Sequence, residues 1–232
     1  MRHRKSTPAV MELSIDTASD LASVALSGKG RLIHDIVWRS QRNHTVEVLA
    51  AIEKLLSRGG VDKRELMAVF VSLGPGMYTG LRVGVSIAQG LARGLQVPTI
   101  GVGRLELDAY PHRHFDGPVV AVHRAGRGEL AWASYRDRPW RELSPPRLAS
   151  PDEFRGAVPD GSLVVGEIDE RLLTLLESRS MTVRGPAAEG RARSLAELGF
   201  ARWQAGETAE PALLRPVYLR PPAIGPPQQP GN

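Results

Sequence analysis

At 232 residues and 25.2 kDa the chain is long enough for one large or two small domains that bury their cores without metals or disulfides. A composition of 42% hydrophobic and 24% charged residues excludes a wholly disordered or membrane-embedded chain, and the absence of cysteine excludes a disulfide framework, a thiolate metal site and a cysteine nucleophile. The formal charge of +5 and pI near 10.0 point to an anionic partner, but four lysines (Lys5, Lys29, Lys54, Lys63) among 30 basic residues leave 26 arginines scattered along the sequence, so charge alone designates no nucleic-acid surface.

Met1 to Lys5 is basic, yet the residues up to Ser14 supply no apolar run long enough for a signal peptide, and no 18-residue apolar stretch follows. The expectation is a cytoplasmic chain with no membrane association and a flexible N-terminus over 1–9. Val10 to Asp16 alternates loosely and ends in the polar turn Thr17 to Asp20, as a strand does. Leu21 to Ser27 and Arg31 to Trp38 flank Gly28-Lys-Gly30 as a hairpin, so three strands open the protein. From Asn43 to Arg58 the period becomes helical: His44, Val48, Ile52, Leu55 and Leu56 share one stripe, Asn43 is the N-cap and Gly59-Gly60 the terminator. Ala68 to Leu73 predicts a short buried strand, Leu81 to Arg93 a second helix and Gln96 to Val102 another strand.

The second half repeats part of this order. Pro118 to Arg124 and Glu129 to Arg136 flank Ala125-Gly-Arg-Gly128 as a hairpin, Pro151 to Gly156 starts a short helix, Leu163 to Gly166 is a buried strand, and helices are expected over 167–178 and 192–205. Seven of the 18 prolines fall in the last 22 residues, and 221–232 lacks apolar periodicity, as a flexible tail does. The expected domains are an N-terminal lobe over 10–107 and a C-terminal lobe over 108–220.

The most specific stretch, Gly74-Pro-Gly-Met-Tyr-Thr-Gly-Leu-Arg82, joins a buried strand to a helix start. Gly74, Gly76 and Gly80 free the backbone for positive φ and close approach. Amides at the helix N-terminus, with Thr79 and Arg82 as further donors, make this a candidate nucleotide or anion site. It is neither a Walker A loop nor Gly-x-Gly-x-x-Gly, and such a loop also serves simply to pack a helix on a sheet. Behind it Arg82, Ser86, Gln89 and Arg93 confine the polar groups to one stripe. The remaining apolar and small residues, Val83, Ile87 and Gly90 among them, cover more circumference than one sheet face buries, which requires a second packing surface.

Ile15-Asp-Thr-Ala18, Ser23-Val-Ala-Leu26, His44, the long glycine motif, Gly90-Leu-Ala92 and Gly101-Val102 resemble the bacterial TsaB (YeaZ) proteins. The resemblance is strong from Val10 to about Leu107 and continues faintly through Gly126-Arg-Gly-Glu129 and Val217-Tyr-Leu-Arg220. It implies an α/β, actin-like ATPase fold (ASKHA, as in sugar kinases, Hsp70 and actin) of two related lobes with mixed central sheets. It further implies a non-catalytic role in making threonylcarbamoyladenosine at position 37 of tRNAs that read codons starting with A. The implied partners are the catalytic paralogue TsaD, the small ATPase TsaE and, through the complex, tRNA. Pairing through the first two helices would put His44, Val48, Ile52, Leu55, Val83, Ser86, Ile87 and Gly90 at the interface, with a homodimer forming in the partner's absence.

The resemblance also places Asp16 and Thr17 where actin-like ATPases hold a nucleotide-bound metal. The catalytic paralogue carries a His-x-x-x-His metal pair on the first helix; here His44 is followed by Val48, so no metal site is expected. His123-Arg124 stands where relatives commonly place an acid. The expected function is therefore a scaffold with no catalytic residue and no cofactor requirement of its own, ATP or ADP with Mg at or near the complex interface being the candidate ligand. A small-molecule kinase or ATPase using Asp16 and the Gly74 loop is the competing reading. A tRNA-binding module is a third, and demands steep salt dependence. No Gly-x-Ser-x-Gly elbow accompanies Ser86, His123 and Asp137, which argues against a serine hydrolase.

Overall fold

The computed structural model describes residues 10–40, 44–177, 182–184 and 190–220. The expected flexible ends at 1–9 and 221–232 and the expected N-cap Asn43 lie outside the described residues.

The first three strands, β1 (Met11–Asp16), β2 (Leu21–Gly28) and β3 (Arg31–Arg39), form an antiparallel meander. β4 (Leu66–Gly74) joins β1 in parallel and β5 (Thr99–Gly103) joins β4, giving the order β3-β2-β1-β4-β5. Parallel pairing needs crossovers, and α1 (His44–Gly59) and α2 (Tyr78–Leu95) supply them. The two-residue period of the strands sorts the faces: Leu13, Ile15, Val69 and Val71 pack with Val48, Leu55, Val85 and Ala88 of the two helices, while Ala68, Phe70, Ile100 and Val102 face the opposite layer.

Local chemistry fixes the ends. The β2–β3 turn passes through Lys29 (φ 53) and Gly30 (φ 73), and their amides donate at 2.9 and 3.2 Å to the carboxylate of buried Glu12, which also accepts from the Ser27 hydroxyl at 2.7 Å. Burial pushes the Glu12 carboxyl above its ordinary pKa in spite of these donors. Helix α2 begins three residues before the expected Leu81. It ends at Gln96, a left-handed C-cap (φ 57) whose amide bonds Ala92, so the strand expected from Gln96 starts at Thr99.

A second sheet repeats the first strand for strand: β6 (Val119–Gly126), β7 (Glu129–Arg136), β8 (Arg141–Ala149), β9 (Leu163–Gly166) and β10 (Thr182–Arg184), in the order β10-β9-β6-β7-β8. Here α4 (Pro151–Ala157) takes the topological place of α1 and α5 (Glu170–Glu177) that of α2. Neither β8 nor β10 was expected. Pro145 and Pro146 argue against a strand, but β8 pairs only with β7, and an edge tolerates prolines.

Two helices lie between the sheets and are exchanged between the repeats. α3 (Arg104–Ala109) follows the first sheet yet packs Leu105 and Ala109 against Val119, Ala121, Ala133 and Val165 of the second. α6 (Ala192–Gln204) follows the second sheet yet packs Leu195 and Leu198 on Phe70 and Ile100 of the first. This corrects the expected division at 107/108, which cuts through α3, and the expected C-terminal lobe of 108–220, whose segment 192–204 covers the first sheet. The physical reason is apolar burial: each sheet has two apolar faces, and each repeat covers only one with its own crossover helices. The result is the expected α/β fold, two related lobes built on mixed sheets.

Candidate functional site

The residues of the glycine motif and the end of β1 come together. Asp16 is fully buried. Its carboxylate accepts from the Ala18 amide at 3.1 Å and pairs with the Arg191 guanidinium at 3.1 Å. Arg191 also bonds Asp108 at 2.6 Å and Ser19 at 3.0 Å. Burial works against the Arg191 charge, but Asp108 and Asp16 hold its pKa above the usual arginine value. Thr17 donates its hydroxyl to the Gly80 carbonyl at 2.7 Å, which ties the β1–β2 turn to the first turn of α2.

The loop leans on the same turn. The Met77 amide donates to the Ala18 carbonyl at 2.9 Å, and a Cβ on Gly76 would stand 2.1 Å from that oxygen. Gly74 (φ +98) has no room for one either, with Leu81 Cδ1 at 2.7 Å. The glycines therefore serve close packing of loop on turn. Thr79 and Arg82 are exposed on the first turns of α2.

Beside this loop a cleft of about 950 Å³ opens between the lobes. Tyr78, Arg82 and the segment Val217 to Arg220 line one side, and Arg104, His123, Arg124 and Glu167 the other. The Arg82 guanidinium lies 4.2 Å over the Tyr78 ring and donates to the Tyr218 hydroxyl at 3.4 Å; the two tyrosine rings are 5.1 Å apart. The other cleft arginines carry acids of their own: Arg104 pairs with Glu167, Arg124 with Asp169 and Arg220 with Glu129. Buried His123 has an Nε2 without a hydrogen-bond partner; burial, with Arg104 nearby, pulls its pKa from 6.5 to about 4.

The expected interface residues divide. Val48, Ile52 and Leu55 belong to the chain's own core, buried between α1 and the first sheet, so the expectation that they meet a partner is corrected: the stripe they form is the one that folds the helix down. The outward apolar residues of α1 are Val46 (63% exposed) and Leu49 (47%). On α2, Val83 and Ile87 are half-buried, and Ser86 and Gly90 are exposed. His44 opens α1, but its side chain lies outside the described residues.

A family model described as TsaD, tRNA N6-adenosine threonylcarbamoyltransferase, matches residues 38–141. The tRNA threonylcarbamoyladenosine biosynthesis protein TsaB of Bacillus subtilis (strain 168) is 34% identical over 124 residues, and that of Escherichia coli (strain K12) is 36% identical over 126 residues. Each match covers 53% of this chain and 54% of the relative, so the chain spans about half the length of the curated relatives it matches. YeaZ from Pseudomonas aeruginosa superimposes with a TM-score of 0.78 at 28% identity, over 90% of this chain and 100% of that one. Over these spans the chain is similar to the TsaB (YeaZ) proteins.

Three features of the site escaped sequence reasoning. Arg191 sits in a Gly- and Arg-rich stretch, and nothing in its spacing points back 175 residues to Asp16. Tyr218 was noted only as part of a faint family match. At Arg124, where an acid was expected, an acid is present from elsewhere: Asp169 comes in from the loop before α5.

Proposed function

We propose that this chain is the non-catalytic scaffold subunit of a complex that forms N6-threonylcarbamoyladenosine at position 37 of tRNAs reading codons that start with A. It acts in the cytoplasm, pairs with a TsaD-type catalytic paralogue, is joined by a TsaE-type ATPase, and pairs with itself when that paralogue is absent. The names of its relatives supply the reaction. The observation that carries the scaffold role is the fate of Asp16: its carboxylate is buried and neutralised by Arg191, while the glycine loop beside it is seated on Ala18. A nucleotide-bound magnesium does not fit there, because the carboxylate that would hold it is already committed to a guanidinium. The kinase or ATPase reading loses its principal residue, and in this proposal ATP or ADP with magnesium belongs to the partner's side of the complex.

The pairing surface in this reading is the outer face of α1 and α2, with Val46 and Leu49 from the first helix and Val83, Ser86, Ile87 and Gly90 from the second. Ser86 and Gly90 lie one turn apart and are small, so a partner helix approaches closely. A partner that binds only the active arrangement of the catalytic subunit stabilises that arrangement by mass action, which is all a scaffold needs to do. Leu49→Glu with Ile87→Glu tests it: light scattering should show loss of the mixed complex and of self-pairing while the chain still folds. An intact mixed complex would sink the interface.

A further inference from the structure

We infer that the turn between β7 and β8, carrying Arg136, Arg138 and Arg141, is a contact surface for the phosphodiester backbone of RNA. β7 ends at Arg136 and β8 begins at Arg141, and the strand register sets these two directly opposite each other. Like charges on facing positions of an antiparallel pair cost stability. Arg138 adds a third cation in the connecting turn, at a positive φ of 67 that non-glycine residues seldom adopt.

All three side chains are exposed, and no acid among the described residues forms an ion pair with them. Their neighbours are matched: Arg113 pairs with Glu197 at 3.3 Å, and His114 lies 3.5 Å from Asp137. A group of guanidinium forks left open at a local cost in stability is what an anionic ligand would relieve.

The shape favours a polymer over an enclosed small molecule. The arginines border an open concavity of about 290 Å³, whose lining also includes Arg113 and the carboxylates Asp116 and Asp137, smaller and more polar than a pocket that buries a small ligand. Arginine forks match phosphate oxygens bidentately, and such contacts position a nucleic acid without reading its sequence. The three arginines lie within six residues of one another, and strand register sets the first and last of them face to face. The turn belongs to the second lobe, whereas the proposed partner surface is on the first, so both are usable at once. The choice of RNA rests on the proposed role in tRNA modification.

The test is binding of an unmodified tRNA transcript to the full chain, alone and mixed with the catalytic paralogue, between about 50 and 200 mM salt. The wild type should bind with an affinity that falls as salt rises. Combining R136S, R138S and R141S should weaken binding at least tenfold at low salt and make the slope shallower by about two, and R138S alone by about one. The melting temperature of the triple variant should be equal or higher, since the opposed charges are gone. Wild-type affinity and slope in the triple variant would overturn the inference, as would a wild type with no salt-dependent RNA binding in either sample. Loss of the mixed complex with RNA binding intact would mean that the arginines meet an acidic protein, and would overturn it too. Failure of the proposed pairing reads out separately, as absence of the mixed complex in light scattering while the chain alone still binds RNA.

Discussion

The two lobes share a topology and differ at the strand ends where an actin-like enzyme would do its chemistry. β1 ends at Asp16, and its counterpart β6 carries Arg124 near its end, a carboxylate in one lobe and a guanidinium in the other. Each is neutralised from within the chain, Asp16 by Arg191 and Arg124 by Asp169. β4 and β9 end at Gly74 (φ +98) and Gly166 (φ +118), each with no room for a Cβ. The helix that follows is 18 residues long in the first lobe and 8 in the second. The first lobe thus presents a long helix pair with an outward apolar face, while neither strand end keeps a free carboxylate. A duplicated fold has retained its frame and turned its cleft residues inward on one another.

The largest expected break in that comparison is Arg191→Met. It leaves Asp16 and Asp108 buried without their shared guanidinium and should cost about 3–5 kcal/mol in denaturant unfolding; a loss below about 1 kcal/mol would mean that the pairing does not hold the lobes together. Gly166→Ala and Gly76→Ala test the two loops side by side. A methyl at either position meets a backbone oxygen at 2.1 Å, and Gly166 is in addition left-handed, so about 2–4 kcal/mol is expected for each, with Gly166 the worse. Equal tolerance at both would deny that the loops are close-packed.

An effect of similar size is read through pH. His123 has a folded-state pKa of about 4, below its ordinary 6.5, so the unfolded chain takes up its proton first as the pH drops. Stability should therefore fall by up to about 1.4 kcal/mol per pH unit between roughly pH 6.5 and 4. His123→Gln should flatten that slope, and an unchanged slope would remove His123 from the account. The smallest effect is a gain: Gly94→Ala, helical with nothing within 4 Å of the new methyl, should raise stability by about 0.5–1 kcal/mol.

Much of the first lobe was legible because its signals are local. Gly28-Lys-Gly30 marks a hairpin, His44 to Leu56 keeps a helical period, and the glycine motif stands between strand and helix. The stripe Val48-Ile52-Leu55 showed that α1 is amphipathic but not what it packs on; its regularity is what a sheet-facing side looks like, and the partner-facing candidates Val46 and Leu49 lie off it. The exchange of α3 and α6 could not be read, since both helices have ordinary composition and their destinations depend on which sheet face is uncovered. Long-range ion pairs such as Arg191 with Asp16 leave no trace in spacing. The arginines of the β7–β8 turn were visible one by one, but strand register decides that two of them face each other.

The central claim is that the first lobe works through its outer helix face and not through the cleft. Reconstituted threonylcarbamoylation of an unmodified tRNA, with threonylcarbamoyl-adenylate as the donor and the catalytic paralogue and the ATPase supplied, tests it most directly. Wild-type chain should support modification that no component gives alone, and the Leu49→Glu, Ile87→Glu variant should abolish it while remaining folded. Modification that survives that variant, or nucleotide turnover by this chain alone that Asp16→Ala removes, would contradict the account and return the chemistry to the cleft.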